Sequence, residues 1–404
     1  MANTTKAPVP QLGTTAANKH RIRYILSVSI IMISAVGWNY ATTSPSLQTS
    51  SPELELKELV TTSRRIDTHA HFIPPFYYEM LRRMGLDSGG LKVPEWNAEE
   101  HLVLMDKLGI ETAILSISTP GARLPGLTLE EARTLARELN NYGHMMVATY
   151  PGRFQFYATL VLPDIKGSIE EAIRALDTLK AAGVVLLASS EGWYLGRSEF
   201  DPLMEVLNSR CASIFVHPNS LPGGNDLEVP PFVVDFLLDT TRAVANLVLN
   251  NVTGRYTNLR WILAHSGGFM PFAGNRIGGA LSLIMGVSPE SLLKELHRFY
   301  ADTALSSSYS ALPSTIAFLT TEHVTFGSDY PFAPNMVIER ETVQLDTFLQ
   351  QKLDIWHQIN HLNAGKLFGS HLDHGIKKLD DLMGPQVLTA KYELQSSAFI
   401  SFAA

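Results

Sequence analysis

Short apolar runs rich in β-branched residues alternate with longer helical patterns between residues 64 and 370. Helices between such strands return the chain to the same edge of a sheet, so that neighbouring strands run parallel. The eight predicted strands are RIDTHAHF, ETAILSIS, RFQFYATLVL, GVVLLAS, ASIFVHP, LRWILAHSGG, HRFYADTAL and TEHVTFGSDYPF. Eight βα units predict an α/β fold closed into a (β/α)8 (TIM) barrel. An open doubly wound sheet is the alternative, but no glycine-rich phosphate loop follows the first strand.

The N-terminal part of the chain differs in character from the barrel region. Residues 24–38, YILSVSIIMISAVGW, carry no charge and follow a basic cluster that includes Arg21 and Arg23. This pattern predicts a single-pass membrane anchor within residues 21–39, with residues 22–38 in the bilayer and the basic residues on the cytoplasmic side. The alternative is a peripheral helix on a cytosolic protein.

The remaining segments flank the anchor and the barrel. The predicted organisation is a polar tail at 1–20, the anchor at 21–39, a Ser/Thr/Pro-rich linker at 40–63, the barrel at 64–370 and a C-terminal extension at 371–404.

A net charge of −7 offers no basic field for phosphates, which argues against nucleic acid as a partner. A single cysteine, Cys211, excludes an internal disulfide framework and a cysteine-rich metal site.

Several chemically active side chains fall at the ends of predicted strands. They are His69 and His71 on strand 1, His217 on strand 5, His265 on strand 6 and Asp329 on strand 8. The carboxyl ends of barrel strands meet at one face, and the two histidines of a His-x-His strand point to the same side. Any one of these residues alone would be interpreted as structural, but their joint placement at the strand ends predicts a metal site.

Imidazole and carboxylate ligands suit a divalent cation such as zinc or manganese. The predicted ligands are His69, His71, His217 and Asp329, which leave a coordination position open for water or substrate. His265 is kept outside this set as an acid–base group, because histidine exchanges protons near neutral pH.

The motifs IDTHAHFIPP, AHSGG with a downstream NRI, FGSDYPF and NAGKLF resemble the amidohydrolase-superfamily decarboxylases typified by 2-amino-3-carboxymuconate-6-semialdehyde decarboxylase. The resemblance spans about residues 64–370 and is greatest to fungal 6-methylsalicylate decarboxylases. It implies a barrel of the metal-dependent hydrolase type and the same four metal ligands. It also implies that His265 relays protons and that Arg276 binds the substrate carboxylate of a neighbouring subunit, hence a homodimer.

The activity implied by the resemblance is non-oxidative decarboxylation of a small aromatic hydroxy acid. The expected reaction converts 6-methylsalicylate to 3-methylphenol and CO2 in polyketide secondary metabolism, with His265 or Asp329 delivering the proton. Resorcylate-type relatives carry Glu-x-His on strand 1 and a glutamate after the strand-6 H-x-G motif, whereas this chain has His-x-His and Gly268, so its proton relay can differ.

Two alternatives stay open from the sequence. The first is a single-metal hydrolase of a lactone, ester or amide, and the second is a decarboxylase of another carboxylate such as 2-amino-3-carboxymuconate semialdehyde. Strand 4 ends VVLLASSEGWYLG without the lysine that would bridge two metals, which favours one ion. Phe72, Trp96, Trp193 and Phe332 are candidates for the wall of a ring pocket.

Overall fold

A computed structural model of the chain describes residues 64–222 and 228–372. Eight parallel strands form one sheet in chain order. They are β1 Arg65–His71, β2 Ile110–Ser116, β3 Phe154–Thr159, β4 Gly183–Leu187, β5 Ser213–His217, β6 Arg260–Leu263, β7 Tyr300–Asp302 and β8 Val324–Thr325. The edge strands meet through backbone N–H groups of Thr68 and His71, which donate to the carbonyls of Phe326 (2.9 Å) and Tyr330 (2.7 Å). The predicted (β/α)8 barrel is confirmed.

The helices surround the sheet. They are α1 Pro75–Met84, α2 Ala98–Leu108, α3 Leu129–Thr149, α4 Ile165–Ile173, α5 Asp201–Asn208, α6 Asp235–Leu249, α7 Val252–Arg255, α8 Met270–Met285, α9 Pro289–Leu296, α10 Ala311–Leu319, α11 Asn335–Leu349, α12 Leu353–His357 and α13 Asn363–Leu372. Asn97 caps α2 by accepting from the backbone of Glu100, and Thr128 forms a capping box with Glu131 at the start of α3. A β-hairpin, Ser189–Ser190 with Trp193–Tyr194, follows β4.

Large side chains fill the barrel below the carboxyl ends of its strands. Tyr157 stacks on Phe215 with ring centroids 5.2 Å apart, and Phe368 of α13 packs edge-on against Tyr157 from below. Ile66, Ile114 and Ile262 complete this buried layer. The interior is therefore a packed core, and a ligand can reach the barrel axis only from the carboxyl-terminal face.

The predicted membrane anchor is corrected. In the part of the chain that the structure describes, no helix combines the length and the apolar character needed to cross a bilayer. The segment 21–39, on which the prediction was made, lies outside the described residues, as do the predicted tail, the linker and most of the C-terminal extension. The apolar composition of a segment is necessary for an anchor but does not establish one.

Candidate active site

Four of the predicted site residues converge at the carboxyl-terminal face of the barrel. One ligand atom from each of His69, His71, His217 and Asp329 lies within 4.8 Å of the others, and all four residues are buried. The Nε2 atoms of His69 and His71 are 3.1 Å apart. Asp329 Oδ1 lies 3.1 Å from Nε2 of His71 and 3.3 Å from Nε2 of His69. β1 supplies the first two side chains, β5 supplies His217 and the loop after β8 supplies Asp329.

The spacing of these atoms fits a divalent ion. Tetrahedral ligands about 2.0–2.1 Å from a zinc ion are about 3.3 Å from one another, close to the separations among His69, His71 and Asp329. Three imidazoles and one carboxylate suit zinc or manganese. The residues present therefore fit the predicted single-metal centre.

The far nitrogen of each ligand histidine is held by an oxygen acceptor. Nδ1 of His69 donates to Asp302 Oδ2 at 2.8 Å, and Nδ1 of His71 donates to Ser116 Oγ at 2.9 Å. Nδ1 of His217 donates to the carbonyl of Pro218 at 2.9 Å. A histidine that carries its proton on Nδ1 presents the lone pair of Nε2, so these three bonds aim three lone pairs at the common centre.

The electrostatics of the cluster are those of a cation site. Burial opposes ionisation of Asp329, but the charge on His69 and the hydrogen bonds from His265 and His69 hold its pKa well below the usual range. Burial, followed by repulsion from His71 and His69, holds the pKa of His217 well below its usual value. Burial also disfavours a charged His69, yet Asp302 and Asp329 outweigh it and raise that pKa to about 10. Two carboxylates thus stabilise positive charge at the centre.

His265 lies beside the four-residue cluster. Its Nε2 is 3.4 Å from Asp329 Oδ2, and its ring centroid is 4.9 Å from that of His69. It also lines the cavity above the cluster. This position suits a group that exchanges a proton with a bound substrate.

Arg276 lies on α8 and is exposed. It does not contribute to the described lining of the cavity in its own chain. An arginine in this position cannot be assigned to the site of its own subunit.

Sequence reasoning missed Asp302, at the end of β7. Besides accepting from His69, its carboxylate accepts the backbone N–H groups of His265 (3.1 Å) and Ala304 (2.9 Å) through Oδ1. One buried side chain therefore positions both a ligand histidine and the backbone of His265. The signal was available, because Asp302 is a carboxylate at the carboxyl end of a barrel strand in the run FYAD.

Three non-glycine residues of the site have left-handed backbone conformations. The φ angles are +54° at His265, +56° at Ser266 and +61° at Asp329. Such conformations cost roughly 1–3 kcal/mol each and persist where surrounding contacts impose them. Here the N–H of Asp329 donates to the carbonyl of His69 at 2.8 Å, and the N–H of His265 donates to Asp302. The strain aims the Asp329 and His265 side chains at the centre.

A cavity of about 770 Å³ opens above the cluster. His217, His265 and Asp329 form its floor, and apolar side chains dominate its walls, among them Phe232, Phe236, Phe269, Leu305 and Phe332. Serine side chains, including Ser306 and Ser314, also line it. Among the described lining residues there is no lysine or arginine.

Of the four aromatic residues considered for a ring pocket, the structure places one in the cavity. Phe332 lines it and packs edge-on against His71 with ring centroids 5.3 Å apart. Phe72 and Trp96 pack with Tyr142 in the core, and Trp193 packs against Phe200 and under Arg197. The cavity is instead lined by aromatic residues of the loops after β5 and β6, whose contacts no local pattern predicts.

Known proteins resemble this chain in sequence and in fold. The chain is 35% identical over 320 residues to the decarboxylase yanB of Aspergillus niger, covering 75% of this chain and 87% of that protein. It is 32% identical over 295 residues to the 6-methylsalicylic acid decarboxylase of Penicillium expansum, covering 70% and 90%. The solved structure of 5-carboxyvanillate decarboxylase from Novosphingobium aromaticivorans, complexed with manganese and a nitrobenzoic acid, matches 77% of this chain and 97% of that one, with TM-score 0.65 and 21% identity.

The similarity to the solved structure, at 21% identity, shows a shared fold. The two fungal decarboxylases are similar to this chain in sequence over most of its length. Residues 66–370, which include every site residue described above, match the amidohydrolase family. This chain belongs to the amidohydrolase family.

Proposed function

We propose that this protein is a metal-dependent, non-oxidative decarboxylase that converts 6-methylsalicylate to 3-methylphenol and CO2. The observation that carries the proposal is the four-ligand cluster at the floor of an apolar cavity without lysine or arginine in its described lining. Such a cavity suits an aromatic ring whose carboxylate is neutralised at the floor. The enzyme class is a carbon–carbon lyase, since relatives that match most of the chain are named decarboxylases.

His69, His71, His217 and Asp329 would hold one zinc or manganese ion. Manganese is bound in the solved structure of 5-carboxyvanillate decarboxylase. When bound, the ion would supply a positive charge at the floor of the cavity that attracts the substrate carboxylate. The histidines and Asp329 are already aimed by buried hydrogen bonds, so little reorganisation accompanies binding.

His265 is the proposed proton donor, with Asp329 as the alternative. The bond between the ring carbon and the carboxylate breaks, its electron pair stays on the ring carbon, and the proton from His265 Nε2 forms the new C–H bond as CO2 leaves. Asp329, 3.4 Å from that nitrogen, stabilises the protonated imidazole before transfer. Phe332, in the loop after β8, and Phe236, on α6, both line the cavity and would restrict the ring, which keeps its reacting carbon close to the donor.

A homodimer would complete the site. The described lining offers no cation of its own, while Arg276 is exposed on α8. The same helix exposes Phe272, Leu283 and Ile284, which are 91%, 86% and 70% exposed. Large apolar side chains this exposed are typical of an interface between subunits. We therefore propose that α8 lies at a subunit interface and that Arg276 of the partner subunit binds the substrate carboxylate.

Mixing two inactive variants tests the shared site. Arg276→Ala and His71→Ala homodimers are each expected to be nearly inactive, because every site lacks either the arginine or a ligand. After subunit exchange, a mixed dimer has one site with both, so the mixture should recover roughly a quarter of wild-type activity for random pairing. Light scattering confirms that exchange partners are dimers. Full activity of Arg276→Ala alone, or a dimeric mixture that stays inactive, would contradict the shared site.

Product analysis tests the proposed reaction. Purified protein incubated with 6-methylsalicylate is expected to release CO2 and 3-methylphenol in equal amounts. Removal of the metal by a chelator should stop the reaction, and zinc or manganese should restore it, because the ion holds the substrate carboxylate. Heat-inactivated protein with the same metal is the control. Hydrolysis of a lactone or ester without decarboxylation of any hydroxybenzoate would instead favour a single-metal hydrolase.

A further inference from the structure

We propose that the outer part of the cavity is a subsite for an apolar substituent of the substrate ring, of the size of an alkyl chain of several carbons. The inference rests on the proposed function and makes it more specific. 6-Methylsalicylate would occupy the floor of the cavity, and a longer 6-alkyl group would extend from the ring toward the mouth.

The size of the cavity is the first observation. Pockets of about 300–1,000 Å³ accommodate drug-sized ligands. The cavity here is about 770 Å³, in the upper part of that range, whereas the proposed substrate is a single benzene ring with small substituents. Within one subunit, a ring held at the floor would leave most of the apolar wall uncovered.

The wall on one side of the cavity is tightly built. The N–H of Phe232 donates to the carbonyl of Gly89 at 3.1 Å, which ties the segment before α6 to the loop after α1. Gly89 has a φ of +61°, and a Cβ atom there would lie 2.1 Å from Cζ of Phe236. At Gly90 a Cβ would lie 2.9 Å from Cβ of Pro230. Glycine at both positions allows the two segments to pack closely, so the wall is a fixed surface.

The apolar wall is continuous with the catalytic floor. The ring of Phe236 is 6.2 Å from that of His217, and the ring of Phe332 is 5.3 Å from that of His71. Farther out, Phe232, Val233 and Leu305 line the same cavity and are 38%, 48% and 47% exposed. A substituent on a ring bound at the floor would therefore enter this region directly and would remove these side chains from water.

A series of 2-hydroxy-6-alkylbenzoates tests the subsite. With methyl, propyl and pentyl chains, kcat/KM is expected to rise roughly four-fold for each added methylene that becomes buried, the factor that corresponds to about 0.8 kcal/mol. Val233→Trp, which fills the outer cavity from the tightly built wall, should bring the pentyl-to-methyl ratio of kcat/KM close to one. Val103→Trp is the matched control, because Val103 is 70% exposed on α2 and does not line the cavity.

The outcomes separate this inference from the proposed function. A constant or falling kcat/KM from methyl to pentyl, with the methyl compound decarboxylated, overturns the subsite and leaves the function standing. A Val233→Trp protein that folds, by its circular dichroism and metal content, yet keeps the wild-type ratio also overturns it. Failure to decarboxylate any member of the series removes the proposed function and the subsite together.

Discussion

Replacing both His71 and Asp329 by alanine is expected to leave the purified protein without its divalent metal and to lower decarboxylation by at least about 10⁴-fold. The two side chains contribute two of the four convergent ligand atoms, 3.1 Å apart. The remaining His69 and His217 cannot enclose an ion. Elemental analysis measures the metal, and product chromatography measures the reaction.

A matched double variant controls for the loss of a histidine and an aspartate. His357 and Asp354 are both exposed on α12, and neither is among the described residues that line the cavity. The His357→Ala, Asp354→Ala protein should retain its metal and its activity, since exposed substitutions away from special features change stability by about 0.5 kcal/mol or less. If the protein without His71 and Asp329 still held metal and turned over substrate, the proposed centre would be wrong.

Replacing His265 is expected to separate catalysis from metal binding. A general acid contributes about 10²- to 10⁴-fold, so kcat should fall by that factor while the metal content stays near one ion per chain. Asparagine is the better replacement than alanine, because it tolerates the left-handed backbone that His265 adopts at φ +54°. Metal content and kcat are measured on the same preparation.

The two results together decide the role of His265. If His265→Asn lost its metal along with its activity, His265 would belong among the ligands, beside His69 and Asp329. If it kept both metal and full activity, the proton would come from elsewhere, and Asp329 would be the remaining candidate, as a carboxylate that relays a proton to the ring. An intact thermal unfolding transition in the variant shows that the barrel itself is unchanged.

The predicted ligand set followed from topology more than from motifs. His69, His71, His217 and Asp329 are distant in sequence, yet each follows or ends a strand, and parallel barrel strands end at one face. That reasoning required only the strand assignment. The same reasoning applies to Asp302, because this carboxylate is the last residue of β7.

Other features had no local signal. The cavity wall depends on the close packing of Gly89 against Phe236. These residues are far apart in the chain, so only the tertiary structure shows that they are neighbours. Phe72, directly after β1, and Trp96, directly before the cap of α2, are aromatic like Phe332, but their rings pack into the core. The composition of segment 21–39 predicts a membrane anchor without establishing one, and the segment lies outside the described residues.

Asp302 limits how this enzyme can diverge. Its two oxygens hold the His69 ring and the backbone of His265, so the ligand and the proposed proton donor share one point of reference. A longer or shorter side chain at this position would displace both at once. Changes in the loops that form the cavity walls can alter substrate preference without moving this shared support. Insertions or substitutions at the carboxyl ends of β6 and β7, where His265 and Asp302 lie, are expected to be poorly tolerated.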